Sequence, residues 1–313
     1  MNILFFGTAD FAVPSLDALV SAGHNVLGVV TQPDKPTGRG MQLSTSPVKA
    51  AALKHGLQLY QPRRVKAENF IQAVRDINPD LIVLAAFGQI MPQSLLDIPA
   101  FGPINVHGSL LPAYRGAAPI QRAIMEGKTI TGVTTMWMDA TLDTGDILLR
   151  AELPILEEDT TGDLFPKLAD LGANLLLETI NGLLNGTVAR NPQDDRLATL
   201  APRIDPADTL IDWNEHAVRI VNRVRGLSPR PGAFTVSRGK RVKVWKCAAA
   251  ADAISEIHGK VLGIQKNPPA ILVSAGGGSA VLLKEVQPES NKRMAADAWA
   301  RGLRLEPGEV LGG

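Results

Sequence analysis

Leu81-Ile82-Val83-Leu84-Ala85-Ala86-Phe87 carries no polar side chain, and it sits near the middle of the first half of the chain. A strand of that composition is apolar on both faces, so its sheet must be covered above and below. The flanking sequence supplies the cover. Residues 2–6 read as a strand, 13–22 as a helix and 26–31 as a strand; a helix over 48–55, a short strand over 57–60 and a helix over 67–77 follow. Residues 104–108 and 131–138 continue the strands, with a helix from about Ala117 to Glu126 between them. This alternation predicts an α/β fold, a Rossmann-like, mostly parallel twisted sheet with helices on both faces. In such sheets ligands lie beyond the carboxyl ends of the strands.

A helix capped by Thr160 or Thr161 is expected to reach about Leu184, with Gly186 just past it. Residues 185–206 are rich in Pro, Asp, Arg and Thr without periodicity and read as a linker. The expected division is a catalytic domain over 1–188, a linker over 189–206 and a second domain over 207–313. Asp212-Trp213-Asn214-Glu215 has capping-box spacing ahead of Ala217, Ile220, Val221 and Val224, which recur at helical intervals. After Pro231 come short alternating runs (233–236, 242–246, 259–264, 271–274, 281–286) separated by Gly, Pro and Asn, the pattern of a small C-terminal β-barrel.

Composition narrows the class. Apolar residues at 45% and charged residues at 20% permit a sizeable core. The 81–87 run is too short to span a bilayer, and the start lacks the basic flank of a secretory signal, so a cytoplasmic location is expected. A lone cysteine, Cys247, leaves neither an internal disulfide nor a multi-cysteine metal site, and no metal is expected. The net charge of +1 conceals an asymmetry: residues 1–189 hold 13 Lys+Arg against 18 Asp+Glu, residues 190–313 hold 19 against 13. From His216 to Ala251 there are nine cations and no acid (Arg219, Arg223, Arg225, Arg230, Arg238, Lys240, Arg241, Lys243, Lys246). Arg219 and Arg223 share a helix face, and such a track suits the phosphates of a nucleic acid. Trp245 could stack on a base or belong to the barrel core.

The stretch Asn105-Val106-His107-Gly108-Ser109-Leu110-Leu111-Pro112 carries the chemistry. On a strand, Asn105 and His107 project from one face and Val106 from the other. The pair reads either as a carboxamide and an imidazole presented to a ligand, or as a satisfied loop amide and a core histidine. A right-handed crossover would run residues 131–138 parallel to this strand and bring the acidic loop Met138-Asp139-Ala140-Thr141-Leu142-Asp143-Thr144-Gly145-Asp146 to the same end. An amide, an imidazole and a carboxylate suit acyl transfer between two nitrogens: two N–H groups hold the tetrahedral oxyanion, and an acid relays a proton to the departing amine. Spacing alone does not choose among Asp139, Asp143 and Asp146, which could equally be turn formers.

Asn-x-His, Ser-Leu-Leu-Pro and Leu-Asp-Thr-Gly-Asp together resemble the motifs of the folate-dependent formyltransferases. The resemblance extends over essentially the whole chain for the branch that acts on methionine esterified to initiator tRNA. Its opening motif is matched by Phe6-Gly7-Thr8-Ala9-Asp10-Phe11-Ala12-Val13-Pro14, with Ala9-Asp10 where Pro-Glu is usual. Thr31-Gln32-Pro33-Asp34-Lys35-Pro36, Gly38-Arg39-Gly40 and Ser46-Pro47-Val48-Lys49 are similar to its insert, and Arg115-Gly116-Ala117-Ala118-Pro119-Ile120-Gln121-Arg122 to a further motif. The resemblance implies transfer of formyl from 10-formyltetrahydrofolate to the methionine amino group, giving N-formylmethionyl-tRNA for translation initiation. It implies Asn105, His107 and Asp143 as the catalytic trio. Ser109, Leu110, Leu111 and Pro112 would form the tetrahydrofolate-binding segment, with Phe87, Gly88, Gln89 and Ile90 as pocket wall. The loop from about Gln32 to Lys49, with Arg39 as its basic contact and Lys35 and Lys49 beside it, would reach the acceptor stem and order on binding. The barrel would be an OB-like tRNA-binding domain using Arg219, Arg223, Arg241 and Lys243. No membrane partner is expected, and the chain is expected to act as a monomer.

Other classes fit less well. A dinucleotide-dependent oxidoreductase needs Gly-x-Gly-x-x-Gly after the first strand, where only Gly7 stands. Formyltransferases acting on glycinamide ribonucleotide usually lack the basic β-rich domain, and those acting on amino sugars lack Gly38-Arg39-Gly40. A purely RNA-binding protein has no use for Asn105, His107 and an acidic loop.

Overall fold

In the computed structural model, which describes residues 1–37, 42–250 and 255–312, Leu81–Ala85 forms a strand with every residue buried. The elements up to the middle of the chain are β1 (Asn2–Gly7), α1 (Val13–Ser21), β2 (Asn25–Val30), β3 (Lys35–Thr37), β4 (Gln42–Ser44), α2 (Pro47–Lys54), β5 (Leu59–Tyr60), α3 (Glu68–Ile77), β6 (Leu81–Ala85), α4 (Gln93–Leu96), β7 (Pro103–His107), α5 (Pro119–Met125), β8 (Ile130–Trp137), β9 (Ile147–Pro154) and α6 (Thr161–Leu184). The chain divides into two units: residues 1–119, 130–154 and 165–202, and residues 120–129, 155–164 and 203–313.

The first unit holds a seven-stranded sheet in the order β5-β2-β1-β6-β7-β8-β9. Neighbours from β5 through β7 are parallel. The expected parallel crossover into residues 131–138 is not there: β8 runs antiparallel to β7, and β9 antiparallel to β8. With Trp137 opposite Ile104, β8 ends beside the start of β7 rather than beside its exit. A single helical turn or two between adjacent strands does not force a parallel return, and periodicity carries no information on strand direction.

Local chemistry explains the cover. Ser46 caps α2 by accepting from the Lys49 amide, and Pro47 occupies the first turn, where its missing N–H costs nothing. In α3, Phe70, Ile71 and Val74 fall on one stripe and are buried, while Asn78 ends the helix in the left-handed region. That stripe joins Leu4, Phe6, Val30, Leu84 and Phe87 in one core, with the Phe87 ring edge-on to Phe6 at 5.3 Å. On the opposite face, α6 lies close enough that a Cβ at Gly172 would meet Val106 and Val133. Val106 therefore points away from Asn105 and His107, as strand alternation requires. No helix among the described residues is long and apolar enough to cross a membrane.

The second unit adds α7 (Ala217–Leu227), β10 (Ala233–Ser237), β11 (Lys240–Ala250), β12 (Val261–Lys266), β13 (Pro269–Ser274), β14 (Ala280–Pro288), β15 (Met294–Ala295) and α8 (Ala296–Leu303). Its antiparallel sheet runs β10-β11-β14-β13-β12, with β15 on β14. The two edges are joined through the tail: the Leu311 amide donates to Gly259 O beside β12, and the Gly312 amide to Val236 O of β10. Trp213 anchors the interior and donates to Thr235 Oγ1 at 3.0 Å. The capping box expected at Asp212 and Glu215 does not form. His216 is the N-cap of α7, its Nδ1 accepting from the Val218 amide; Asp212 closes a turn onto Asn214, and Glu215 pairs with Arg223. The helix starts one turn later than that motif would place it, because Glu215 satisfies a cation instead of a backbone amide.

Candidate active site

Asn105 and His107 project from the same face of β7 and are both buried. Asp143 meets them there. Its Oδ1 lies 3.5 Å from Asn105 Nδ2, and its Oδ2 lies 3.7 Å from His107 Nδ1. The second is an ion-pair distance rather than a hydrogen bond. Although β8 ends at the far end of β7, the five residues between Trp137 and Asp143 reach back along it; an extended residue covers about 3.3 Å, so they suffice.

The imidazole is oriented from its other side. His107 Nε2 is 3.0 Å from Tyr114 O, a carbonyl that can only accept, so the ring carries a proton on Nε2 and leaves Nδ1 facing the carboxylate. Tyr114 has a positive φ of 62°, and its amide donates to Thr199 Oγ1 at 2.9 Å. Asp143 also sits in the left-handed region, at φ 55°, and its Oδ2 accepts from the Gly116 amide at 2.9 Å. Gly116 must lack a side chain, since a Cβ there would stand 2.6 Å from Ala201 O. At Gly145 a Cβ would meet Trp137 O at 1.8 Å, which lets the loop pack against the strand it has just left. Strained backbone gathered around an acid and an imidazole is typical of functional loops.

The other two acids of the loop do different work. Asp139 accepts from the Thr141 amide and hydroxyl and from Thr144 Oγ1, each within 3.0 Å, and so shapes the turn. Asp146 binds Arg190 at 2.9 Å, and that guanidinium lies 4.2 Å over the Trp137 ring.

The segments expected to meet the folate are partly built into the protein. Ser109 Oγ donates to Ala113 O, the Leu111 amide donates to Thr134 Oγ1, and the Leu111 side chain is packed with Met136 and Ile147. Leu110 and Pro112 remain half-buried. Phe87 is core, its carbonyl accepting from Thr8 and Gln32, and Gln89 accepts from the Val65 amide. Gly88 is exposed, and Ile90 is 79% exposed, a large apolar side chain left on the surface.

Among the basic residues, Arg39 lies outside the described residues. Lys35 is exposed and donates to Gln32. Lys49 is spent internally: its ammonium is 2.5 Å from Asp34, whose carboxyl it holds below the ordinary value. Arg223 is likewise engaged, by Glu215 at 3.0 Å and by Asp208 O. Arg219 and Arg241 are exposed, Arg241 stacking 4.7 Å over Phe234; Lys243 is half-buried and donates to Pro231 O. Trp245 is buried, donates to Gln287, and carries Arg293 3.7 Å over its ring, so its place is in the fold. Cys247 is half-buried, and desolvation pushes its thiol up to about 12.

Sequence reasoning did not single out Gln193. Its amide donates to Asp143 O at 2.9 Å and Gly145 O at 2.7 Å, while its carbonyl accepts from Arg115 Nε at 3.1 Å. It falls in a stretch without periodicity, and no sequence signal marks it. Thr199, in the same stretch, was missed for the same reason.

Comparison with known proteins adds an independent line. Residues 1–180 match the family model described as formyl transferase, and residues 203–304 the one described as formyl transferase, C-terminal domain. The chain is 46% identical over 314 residues to a methionyl-tRNA formyltransferase of Ruminiclostridium cellulolyticum, covering 100% of both chains. It is 44% identical over 311 residues to that of Bacillus subtilis, covering 99% of this chain and 98% of the relative. Among solved structures, an N-formyltransferase from Helicobacter canadensis in complex with folinic acid and dTDP-3-aminofucose aligns with a TM-score of 0.66 at 17% identity, covering 92% of this chain and 99% of that one. HypX from Aquifex aeolicus with tetrahydrofolic acid aligns with a TM-score of 0.64 at 18% identity, over 99% of this chain and 48% of that one. At those identities the shared property is the fold.

Proposed function

Because the chain belongs to the formyl transferase family, we propose that it moves the formyl group of 10-formyltetrahydrofolate to the free amino group of methionine esterified to initiator tRNA. The reading is carried by the convergence of an amide, an imidazole and a carboxylate in a chain that matches its methionyl-tRNA formyltransferase relatives from end to end. The amine, uncharged, attacks the formyl carbon and a tetrahedral oxyanion develops. Asn105 Nδ2–H and a proton on His107 Nδ1 are the donors for that charge, because Nε2–H is already given to Tyr114 O. Asp143 stabilises the ring while it holds the second proton, and the proton then passes to the departing nitrogen of the folate, a poor leaving group without it. Atoms balance: one C–N bond forms, one breaks, and one proton moves from the attacking to the leaving nitrogen.

In this reading residues 1–188 carry the chemistry and 207–313 hold the tRNA, joined by 189–206. The pteridine covers the apolar side chain of Ile90 and packs along Leu110 and Pro112. Arg39, Lys35, Arg219, Arg241 and Lys243 are the phosphate contacts; Lys49 and Arg223, taken up by internal carboxylates, shape those surfaces. The enzyme works in the cytoplasm as a monomer. The test is incubation of the full chain with 10-formyltetrahydrofolate and methionyl-tRNA, followed by base hydrolysis of the ester. Released N-formylmethionine is the expected product. Its absence, with formylation of a dTDP-amino sugar instead, would overturn the substrate assignment.

A further inference from the structure

We infer that Gln193 is a positioning residue for formyl transfer, holding Asp143 in its left-handed conformation against His107; this rests on the catalytic reading above. A buried guanidinium, Arg115, gives two of its donors to Gln193 Oε1, at 3.1 and 2.8 Å, and one to Asp195, whose side chain is exposed. A carboxylate at position 193 would satisfy that cation better. An amide differs in having a second end: Gln193 Nε2 donates to the carbonyls of Asp143 and Gly145, on either side of Thr144. The amide orientation is fixed by its partners, two donors at one end and two acceptors at the other. Only glutamine among side chains of this length and shape can accept from the arginine and donate to the loop at once.

The rest of the segment makes the same kind of link. Thr199 holds Tyr114 N, and Tyr114 O orients His107; the Arg115 amide donates to Thr199 O and the Ala201 amide to Arg115 O; Gly116 N, next in the chain, holds Asp143 Oδ2. Asp143 is thus gripped at its carboxylate by the Gly116 amide and at its carbonyl, through Gln193, by the Arg115 side chain. A residue at φ 55° keeps that backbone only while its surroundings over-determine it. With Gln193 removed, two carbonyls lose their donor, and Asp143 can relax toward ordinary β or α backbone, taking its carboxylate away from Nδ1.

Gln193→Met keeps length and volume and removes both ends; Gln193→Glu keeps the arginine partner and sets a carboxylate against two carbonyls. Both are expected to lower kcat about 10-fold or more, since misplacement near 1 Å can cost ~10²-fold, while KM for methionyl-tRNA and for the folate holds within about twofold. The discriminating measurement is a double-mutant cycle with Asp143→Ala. If Gln193 acts through Asp143, adding Gln193→Met to Asp143→Ala changes kcat by less than about twofold. A full multiplicative loss in the double variant, or a wild-type kcat in both single variants, would overturn the inference while leaving the catalytic trio standing. An unimpaired Asp143→Ala would instead remove the trio itself.

Discussion

Asp143→Asn removes one unit of charge and almost no volume. The amide oxygen can still accept from the Gly116 amide now 2.9 Å from Oδ2, so the loop keeps its anchor. What is lost is the field at His107 Nδ1, 3.7 Å away, together with the weak 3.5 Å contact to Asn105 Nδ2, because the new amide nitrogen takes the place of Oδ1. At that separation, and at an effective dielectric of ~20, two unit charges interact by ~4.5 kcal/mol. Both side chains are nearly enclosed, 7% and 11% exposed, so solvent screens little of it. The interaction is at full strength only when the ring carries its second proton, which in the proposed mechanism is the state that faces the oxyanion. At ~1.4 kcal/mol per decade the upper bound is ~10³ in rate, and partial relaxation of the site brings the expected loss to ~10²–10³ in kcat. The assay is single-turnover transfer from 10-formyltetrahydrofolate to methionyl-tRNA with enzyme in excess, alongside tRNA affinity by filter binding. Affinity should be unchanged. A single-turnover rate within ~3-fold of wild type would refute the electrostatic role, since it corresponds to less than ~0.7 kcal/mol.

Arg39→Ala is expected to slow transfer to initiator tRNA at unchanged folate KM, and identical kinetics would remove the insert from the mechanism. Arg219→Ala and Arg241→Ala should each flatten the slope of log K against log salt for tRNA binding by up to ~0.9. Arg223→Ala should leave that slope alone and lower Tm, because it strands Glu215; equal slopes in all three variants would count against the division between free and engaged cations. Arg122 beside Asp208 holds that carboxyl below its ordinary value of 3.8. A depressed carboxyl stabilises the fold above the unfolded-state value and stops doing so as pH falls through the folded one. The Tm gap between wild type and Asp208→Asn should therefore be constant from pH 7 to pH 5 and close below about pH 4. A gap that widens on acidification would show that the ion pair is not its source.

Which parts were legible in advance follows from what a sequence pattern encodes. The buried strand β6 and the amphipathic α3 declare themselves because burial on two faces or one stripe dictates composition. The common face of Asn105 and His107 followed from the two-residue period of a strand. Strand direction does not leave such a trace: the antiparallel return of β8 depends on the connection through α5, and the same alternating residues fit either sense. Asp143 was identified by resemblance, and its reach rests on glycine at 145 and a left-handed backbone, neither visible as periodicity. Gln193 was illegible because two of its partners are backbone carbonyls, which every residue has, and the third, the Arg115 side chain, lies 78 positions away. Counting cations does not tell which are already paired: Lys49 and Arg223 find carboxylates 15 and 8 positions away.

The hydrogen bonds of the last residues bear on handling the protein. Residues 308–312 lie between the start of β12 and β10, occupying donors and acceptors that would otherwise form two open strand margins. A sheet margin stripped of its partner is a template for another copy of the same chain. Trimming those five residues would leave Trp213 without the backbone that covers it and convert a self-contained module into one that pairs with its neighbours.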